Sequence, residues 1–155
     1  MKYSELKVGD VFYLTGDASP DLKYLIKTKT GYNMAGYDLD DSLDLTVVEL
    51  SLLQKVQFCA NVMGYDYMVV DNDCIGPDRY VLLHSGEYYW PIVNDKQAKE
   101  LCEKFRMLIS YFDISAVVEH PIDGILENTK ACSNISINHA IVESVVKYHL
   151  LLGNG

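Results

Sequence analysis

The spacing of hydrophobic and polar positions changes near residue 94 and divides the chain into a β-rich part and a helical part. Before this point, short apolar runs alternate with Gly, Asn, Asp and Ser, as is typical of strands joined by tight turns. Strands are predicted at 10–14, 22–30, 34–39, 45–50, 55–60, 65–70, 79–84 and 87–92. After it, apolar residues recur every three or four positions, which favours helices.

Two helices are predicted in the C-terminal part. In the first, Asn94 can act as the N-cap together with Gln97. Its apolar stripe consists of Ala98, Leu101, Cys102, Phe105, Leu108, Ile109 and Phe112. Ile114–Val118 then fits a short strand. The face of the last helix consists of Ile137, Ala140, Ile141, Val145, Tyr148 and Leu152, with Val142, Val146 and Leu150 widening it and Gly153 placed to end the helix.

The width of this last apolar face leaves two arrangements open. Either the helix is sandwiched within the domain, or part of it forms a homodimer interface. In both cases we expect a single α+β domain over residues 1–155. A strongly bent antiparallel sheet or SH3-like small barrel would occupy residues 1–93, with two C-terminal helices from residues 94–155 packed on it.

The chain has no apolar run near the roughly 20 residues that a membrane-spanning helix needs. Its N-terminus lacks the apolar core of a signal peptide, so a cytoplasmic protein is predicted. The four cysteines, Cys59, Cys74, Cys102 and Cys132, contain no C-x-x-C pair and are interpreted as reduced thiols, with Cys74 in a polar turn.

The segment Glu5–Phe12, followed by Tyr24–Thr28, contains the pattern L-K-x-G-D-x-F, a loop, and then Y-x-K-T. This pattern resembles the opening of small β-modules in uncharacterised phage and prophage proteins, over residues 5–39. The resemblance implies an SH3-like roll and a viral origin, and it carries no catalytic residue. In this interpretation Gly9 provides a bend and Phe12 fills the core.

Negative charge is concentrated in the middle of the chain. The net charge is −9, and residues 38–78 contain nine acids against one base, Lys55, which is a net −8. A field of one sign attracts cationic partners and repels nucleic acid. A merely solubilising surface and a loop that binds a divalent cation are the alternative interpretations.

Tyrosine is unusually frequent, with twelve Tyr against four Phe. Several of them cluster in neighbouring predicted strands with the one tryptophan: Tyr65, Tyr67, Tyr88, Tyr89 and Trp90. Tyr and Trp combine apolar area with a polar tip and often anchor interfaces or ligand pockets. They are also common as half-buried residues of ordinary sheets.

No motif predicts a chemistry. The chain has no G-x-S-x-G, no P-loop and no G-x-G-x-x-G. The loop that starts at Asp71 resembles an EF-hand loop, but Ile75 and Leu82 stand where ligands are required. We therefore predict no catalytic residue, no metal and no cofactor.

The predicted function is non-catalytic binding of a protein with a basic surface, without direct contact to nucleic acid or membrane, as a phage-encoded inhibitor of a host or defence protein would act. The predicted partner-binding residues are Asp38, Asp40, Asp41, Asp44, Tyr65, Tyr67, Asp71, Asp73, Tyr88 and Trp90. One alternative is a protein that sequesters a small molecule or nucleotide in an aromatic pocket at a dimer interface. Another is an enzyme that brings His84 or His120 beside acids from distant strands.

Overall fold

The computed structural model describes residues 2–15, 24–27, 44–71, 79–120, 124–125 and 129–151. Within these residues lie a 3-10 helix, three α-helices and ten strands in three separate antiparallel sheets, none of which closes into a barrel. The α+β class predicted from the sequence is confirmed. None of the helices in this part of the chain combines the length and the apolar character needed to cross a bilayer.

The described chain divides into two compact units. The first unit comprises Met1–Glu49 and Lys147–Gly155, and the second comprises Leu50–Val146. Residues 1–93, for which one sheet or barrel was expected, therefore contribute strands to two different units. The predicted strand at 34–39 lies outside the described residues.

The first unit contains a three-stranded sheet in the order β2–β1–β3, formed by β1 (Val11–Leu14), β2 (Leu25–Ile26) and β3 (Leu45–Val47). Phe12 of the central strand pairs with Leu25 on one side and Val47 on the other, and its side chain is completely buried. Gly9 has a φ of +97° and donates its N–H to the Lys27 carbonyl over 2.8 Å. The bend at Gly9 and the core position of Phe12 are as predicted.

Lys27 ties this sheet to the N-terminal segment. Its ammonium group donates to the carbonyl oxygens of Tyr3 (2.9 Å) and Leu6 (2.7 Å). The same group lies 4.6 Å from the centre of the Tyr3 ring, which is within the range of a cation–π interaction. The carbonyl groups at the end of the 3-10 helix Tyr3–Glu5 therefore have a charged donor.

The second unit begins with a helix where a strand was expected. Residues 55–60 belong to α1 (Leu52–Val62), so the predicted strand is wrong. Ser51 and Gln54 form a capping box, each side chain accepting from the backbone N–H of the other residue. Val56, Cys59 and Ala60 then fall on one helical face and are all buried. The cap and this spacing of three and four residues outweigh the alternating pattern of Val56, Phe58 and Ala60.

The second sheet has the order β4–β5–β6 and is antiparallel. It consists of β4 (Tyr67–Asp71), β5 (Arg79–Leu83) and the short β6 (Tyr88–Tyr89), which confirms two of the predicted strands and shortens the third. Ser85 and Gly86 turn the chain between β5 and β6, and Gly86 has a φ of +91°. Such a φ is accessible to glycine at little cost.

Helix α2 (Asp95–Phe105) begins as predicted, with the Asn94 side chain accepting the Gln97 N–H over 3.1 Å. It ends earlier than its apolar stripe suggested. Arg106 adopts the left-handed conformation and the chain continues as β7 (Met107–Ser110), so Leu108 and Ile109 are strand residues. Phe112, also placed on the helical stripe, lies in the following turn and is fully exposed.

A third sheet lies between the two predicted C-terminal helices. Strand β8 (Ser115–His120), which confirms the predicted short strand, pairs with β7, with β9 (Gly124–Ile125) and with β10 (Ala131–Cys132). Thr129 is buried beside it, and its hydroxyl accepts the Val118 N–H over 3.0 Å. The C-terminal part is therefore mixed, not helical throughout.

The last predicted helix is confirmed as α3 (Ile137–Leu151). Its apolar residues are buried within the chain along most of its length: Ala140, Ile141, Val142, Val145, Val146 and Leu150. This burial favours the sandwiched arrangement over a homodimer interface on the same side chains. Leu152 and Gly153 lie outside the described residues.

Candidate binding face of the second sheet

Four of the ten predicted partner-binding residues, Asp38, Asp40, Asp41 and Asp73, lie outside the described residues. Asp44 is exposed at the start of β3 in the first unit. Asp71 is exposed at the end of β4 in the second unit, where its carboxylate lies 3.3 Å from Nε of Arg79. Ion pairs between exposed side chains contribute little to stability. The described part of the acidic segment is thus divided between the two units.

The predicted aromatic residues separate onto different sides of the second sheet. Tyr65 precedes β4 and packs edge-on against Tyr89, with ring centres 5.4 Å apart. Its hydroxyl lies 3.5 Å from a carboxylate oxygen of Glu100, and burial together with this neighbouring charge raises the pKa of Tyr65. Trp90, just after β6, is half-buried. Tyr65 and Trp90 are therefore partly engaged within the second unit.

Register identifies the two faces of the second sheet. Val69 pairs with Val81, and Val81 pairs with Tyr89. Val81 and Tyr89 are almost completely buried, so this is the inner face, and helix α1 packs against β5. Tyr67 shares its strand and its side with Val69, because alternate residues of a strand point to the same face. Tyr67 also borders α1 residues in a shallow depression.

The opposite face, here called the outer face, carries Met68, Val70, Tyr80, Leu82 and Tyr88. Met68 pairs with Leu82, and Leu82 pairs with Tyr88, so these three residues form a row across the sheet. Met68 and Tyr88, at the two ends of the row, are each 59% exposed. Apolar residues that are exposed singly are common, but a continuous exposed apolar surface is typical of an interaction site.

Tyr80 and Tyr88 pack edge to face on this outer face, with ring centres 4.8 Å apart and an interplanar angle of 84°. The neighbouring Tyr88 side chain is the largest cause of a raised pKa at Tyr80. The pair adds polar hydroxyl groups beside the apolar row. Tyrosine suits a binding surface because its ring can pack against a partner while its hydroxyl can hydrogen-bond to water or to the partner.

A groove of about 300 Å³ lies at one end of the outer face. Its described lining consists of Asp66, Tyr67, Met68, Leu82, Leu83, His84 and Gly86. Asp66 and His84 are exposed and stand opposite each other, since the His84 N–H donates to the Asp66 carbonyl over 2.9 Å. Tyr67 is the one Tyr, Phe or Trp of this described lining, so the aromatic side chains of the sheet do not gather in the groove.

Gln97 of α2 forms hydrogen bonds with the edge of the second sheet that β6 forms. Its side-chain nitrogen donates to the Tyr88 carbonyl (2.7 Å) and to a carboxylate oxygen of Glu87 (3.1 Å). Its side-chain oxygen accepts the Trp90 N–H over 2.7 Å. Gln97 is almost completely buried, and amide side chains in such positions normally have all their partners. Helix α2 therefore fixes the position of Tyr88.

The Tyr89 hydroxyl is buried and has no hydrogen-bond partner in the described part of the chain. Burial is also the largest cause of a strong upward shift in the pKa of Tyr89. A buried hydroxyl without a partner costs about 1–3 kcal/mol.

We expect Tyr89→Phe to raise the free energy of unfolding by about 1 kcal/mol, because the substitution removes the buried hydroxyl that lacks a partner. Urea denaturation measures the change. Tyr65→Phe, at a tyrosine whose hydroxyl donates to a carboxylate oxygen of Glu100, is the control and should give no increase. A loss of stability in Tyr89→Phe would contradict this expectation.

The sequence prediction included Tyr88 but missed Met68, Val70, Tyr80 and Leu82. A signal was present, because Tyr67–Val70 and Tyr80–Leu83 are apolar at every position and a sheet with one solvated face normally alternates. Such a run predicts burial on both faces, whereas here Met68 and Tyr88 of one face are exposed.

No known family model matches the chain, and no curated protein or solved structure is significantly similar to it.

Proposed function

We propose that the protein is a non-catalytic binding protein whose outer face receives a protein segment that combines apolar and basic side chains. The observation that carries the proposal is the row Met68–Leu82–Tyr88, which is apolar, continuous and exposed at both ends. The phage-encoded inhibitory role and the cytoplasmic location expected from the sequence stay part of this proposal.

The charges around the outer face support a basic partner. The described residues of the sheet and its connections, 64–71 and 79–90, contain Asp66, Asp71 and Glu87 against a single base, Arg79. Arg79 is engaged with Asp71, so Asp66 and Glu87 have no neutralising cation among these residues. An apolar centre with a charged rim is the usual organisation of a protein interface, and the rim governs the association rate and partner choice.

A labelled peptide tests the proposal directly. The probe is a fluorescein-labelled nonapeptide in which valine alternates with lysine, and the matched peptide has glutamate in place of lysine. We expect the lysine peptide to bind the full chain, as measured by fluorescence anisotropy, and the affinity to fall as salt is added because exposed charges are screened. Binding of neither peptide, or equal binding of both, would refute the proposed function.

A matched pair of variants locates the site. Met68→Ser removes an exposed apolar side chain from the outer face, and Leu108→Ser removes an exposed apolar side chain from β7 of the third sheet. Loss of about 1 kcal/mol of apolar burial corresponds to roughly fivefold weaker binding. We expect this loss for Met68→Ser and less than about twofold for Leu108→Ser. Equal effects in the two variants would exclude the outer face as the site.

A further inference from the structure

The hydrogen-bond pattern of the second sheet distinguishes its two edges. The pair Asp66 and His84 is hydrogen-bonded, because the His84 N–H donates to the Asp66 carbonyl. Hydrogen-bonded and non-hydrogen-bonded pairs alternate along an antiparallel ladder. The backbone groups of Met68 and Val70 therefore face β5, whereas those of Tyr67, Val69 and Asp71 point outward from β4.

The opposite edge, along β6, is already covered. The Leu83 N–H donates to the Glu87 carbonyl, so the Tyr88 carbonyl points away from β5 by the same alternation. The side-chain nitrogen of Gln97 donates a hydrogen bond to the Tyr88 carbonyl. Exposed edges of sheets pair readily with further strands, and proteins commonly cover the edges that must stay unpaired. The β6 edge is therefore covered by the buried Gln97 side chain. Among the described residues, no side chain forms a hydrogen bond with the outward backbone groups of β4.

We propose that the partner binds as an added strand on the β4 edge: an extended segment with basic side chains whose backbone pairs with Tyr67, Val69 and Asp71. This inference rests on the proposed function and specifies its binding mode. Strand addition supplies affinity through backbone hydrogen bonds and specificity through alternate side chains. Every second side chain of the added strand would extend the apolar row beyond Met68.

The charges favour a basic segment over a second copy of the chain as the occupant. Asp66 and Asp71 flank the β4 edge, and Asp66 has no ion pair among the described residues. A second copy would bring the same carboxylates to the shared edge, on a chain whose net charge is already −9. Lysine or arginine at an end of the added strand would instead lie beside Asp66, whose carboxylate has no cation among the described residues, and opposite charges across neighbouring strands stabilise their pairing.

Amide hydrogen exchange, measured by NMR on the full chain with and without the alternating valine–lysine peptide, tests the binding mode. At saturating peptide, exchange at Tyr67, Val69 and Asp71 should slow at least tenfold, as new backbone hydrogen bonds form. The amides of Met68 and Val70 should be protected in both states. Met107 and Ile109, the outward residues of edge strand β7 by the same alternation, serve as controls and should not change.

The outcomes of these experiments show which of the two proposals fails. If the peptide binds with the outer-face dependence of Met68→Ser but the three outward amides exchange as before, strand addition is wrong and the proposed function stands. If no peptide binds, the proposed function and the inference both fail. If the three amides become protected without peptide as the protein concentration rises, together with a doubled molecular mass in solution, the occupant is a second copy, and the inferred basic segment is wrong.

Discussion

Phe12→Ala should lower the free energy of unfolding of the first unit by about 3–5 kcal/mol, the usual cost of truncating a buried phenylalanine. Phe12 is completely buried in the central strand of the first sheet, between Leu25 and Val47. The Tyr3 ring contacts it edge-on at 6.1 Å, so truncation would leave a cavity that several neighbours line. Urea denaturation followed by circular dichroism measures the change.

Phe112→Ala is the matched control for this prediction. Phe112 is the same residue type but is fully exposed in the turn after β7. Substitutions at such surface positions usually change stability by less than about 0.5 kcal/mol. A loss of similar size in both variants would show that Phe12 is not the centre of the first unit's core.

Gln97→Leu should destabilise the second unit by about 2–4 kcal/mol. The substitution keeps the approximate volume but removes the acceptor of the Trp90 N–H and the donor to the Tyr88 carbonyl. A buried polar group that loses its partner costs about 1–3 kcal/mol, and two such groups are affected here. Urea denaturation gives the free energy, and the fluorescence of Trp90, the one tryptophan, reports locally on the loss.

Gln57→Leu provides the control for Gln97→Leu. Gln57 is half-buried on α1, and no side-chain hydrogen bond joins it to another described residue. The same chemical change at this position should cost less than about 0.5 kcal/mol. If Gln97→Leu is equally mild, the hydrogen bonds of Gln97 do not hold β6, and the covered edge of the second sheet has another cause.

Local signals in the sequence were sufficient for several elements. Asn94 and Gln97 identified the start of α2 because a capping side chain and its partner are only three residues apart. Gly9 and Phe12 were assigned correctly because a positive φ and a large apolar residue in a short strand are local requirements. The apolar spacing of α3 was likewise regular over its full length.

Two elements were assigned wrongly because competing local patterns coincide in them. Residues 55–60 satisfy both an alternating pattern and a helical one, and the capping box at Ser51 selects the helix. Leu108 and Ile109 continue the helical stripe of α2, yet the left-handed conformation of Arg106 ends the helix before them. In both cases the signal at a helix terminus, the N-cap of α1 and the C-cap of α2, determines where the helix lies, and the spacing of apolar residues does not.

The candidate site illustrates the same division. From the sequence alone follow the α+β class, the strands β4 and β5, and the excess of acidic residues near them, because these depend on residue type and spacing. Only the tertiary structure decides that Met68 and Tyr88 of the outer face are exposed while Val81 and Tyr89 are buried, and that Gln97 covers one edge while no described strand pairs with the β4 edge. Those facts depend on contacts between distant segments, and a strand that is apolar on both faces contains no local information about which face another element will cover.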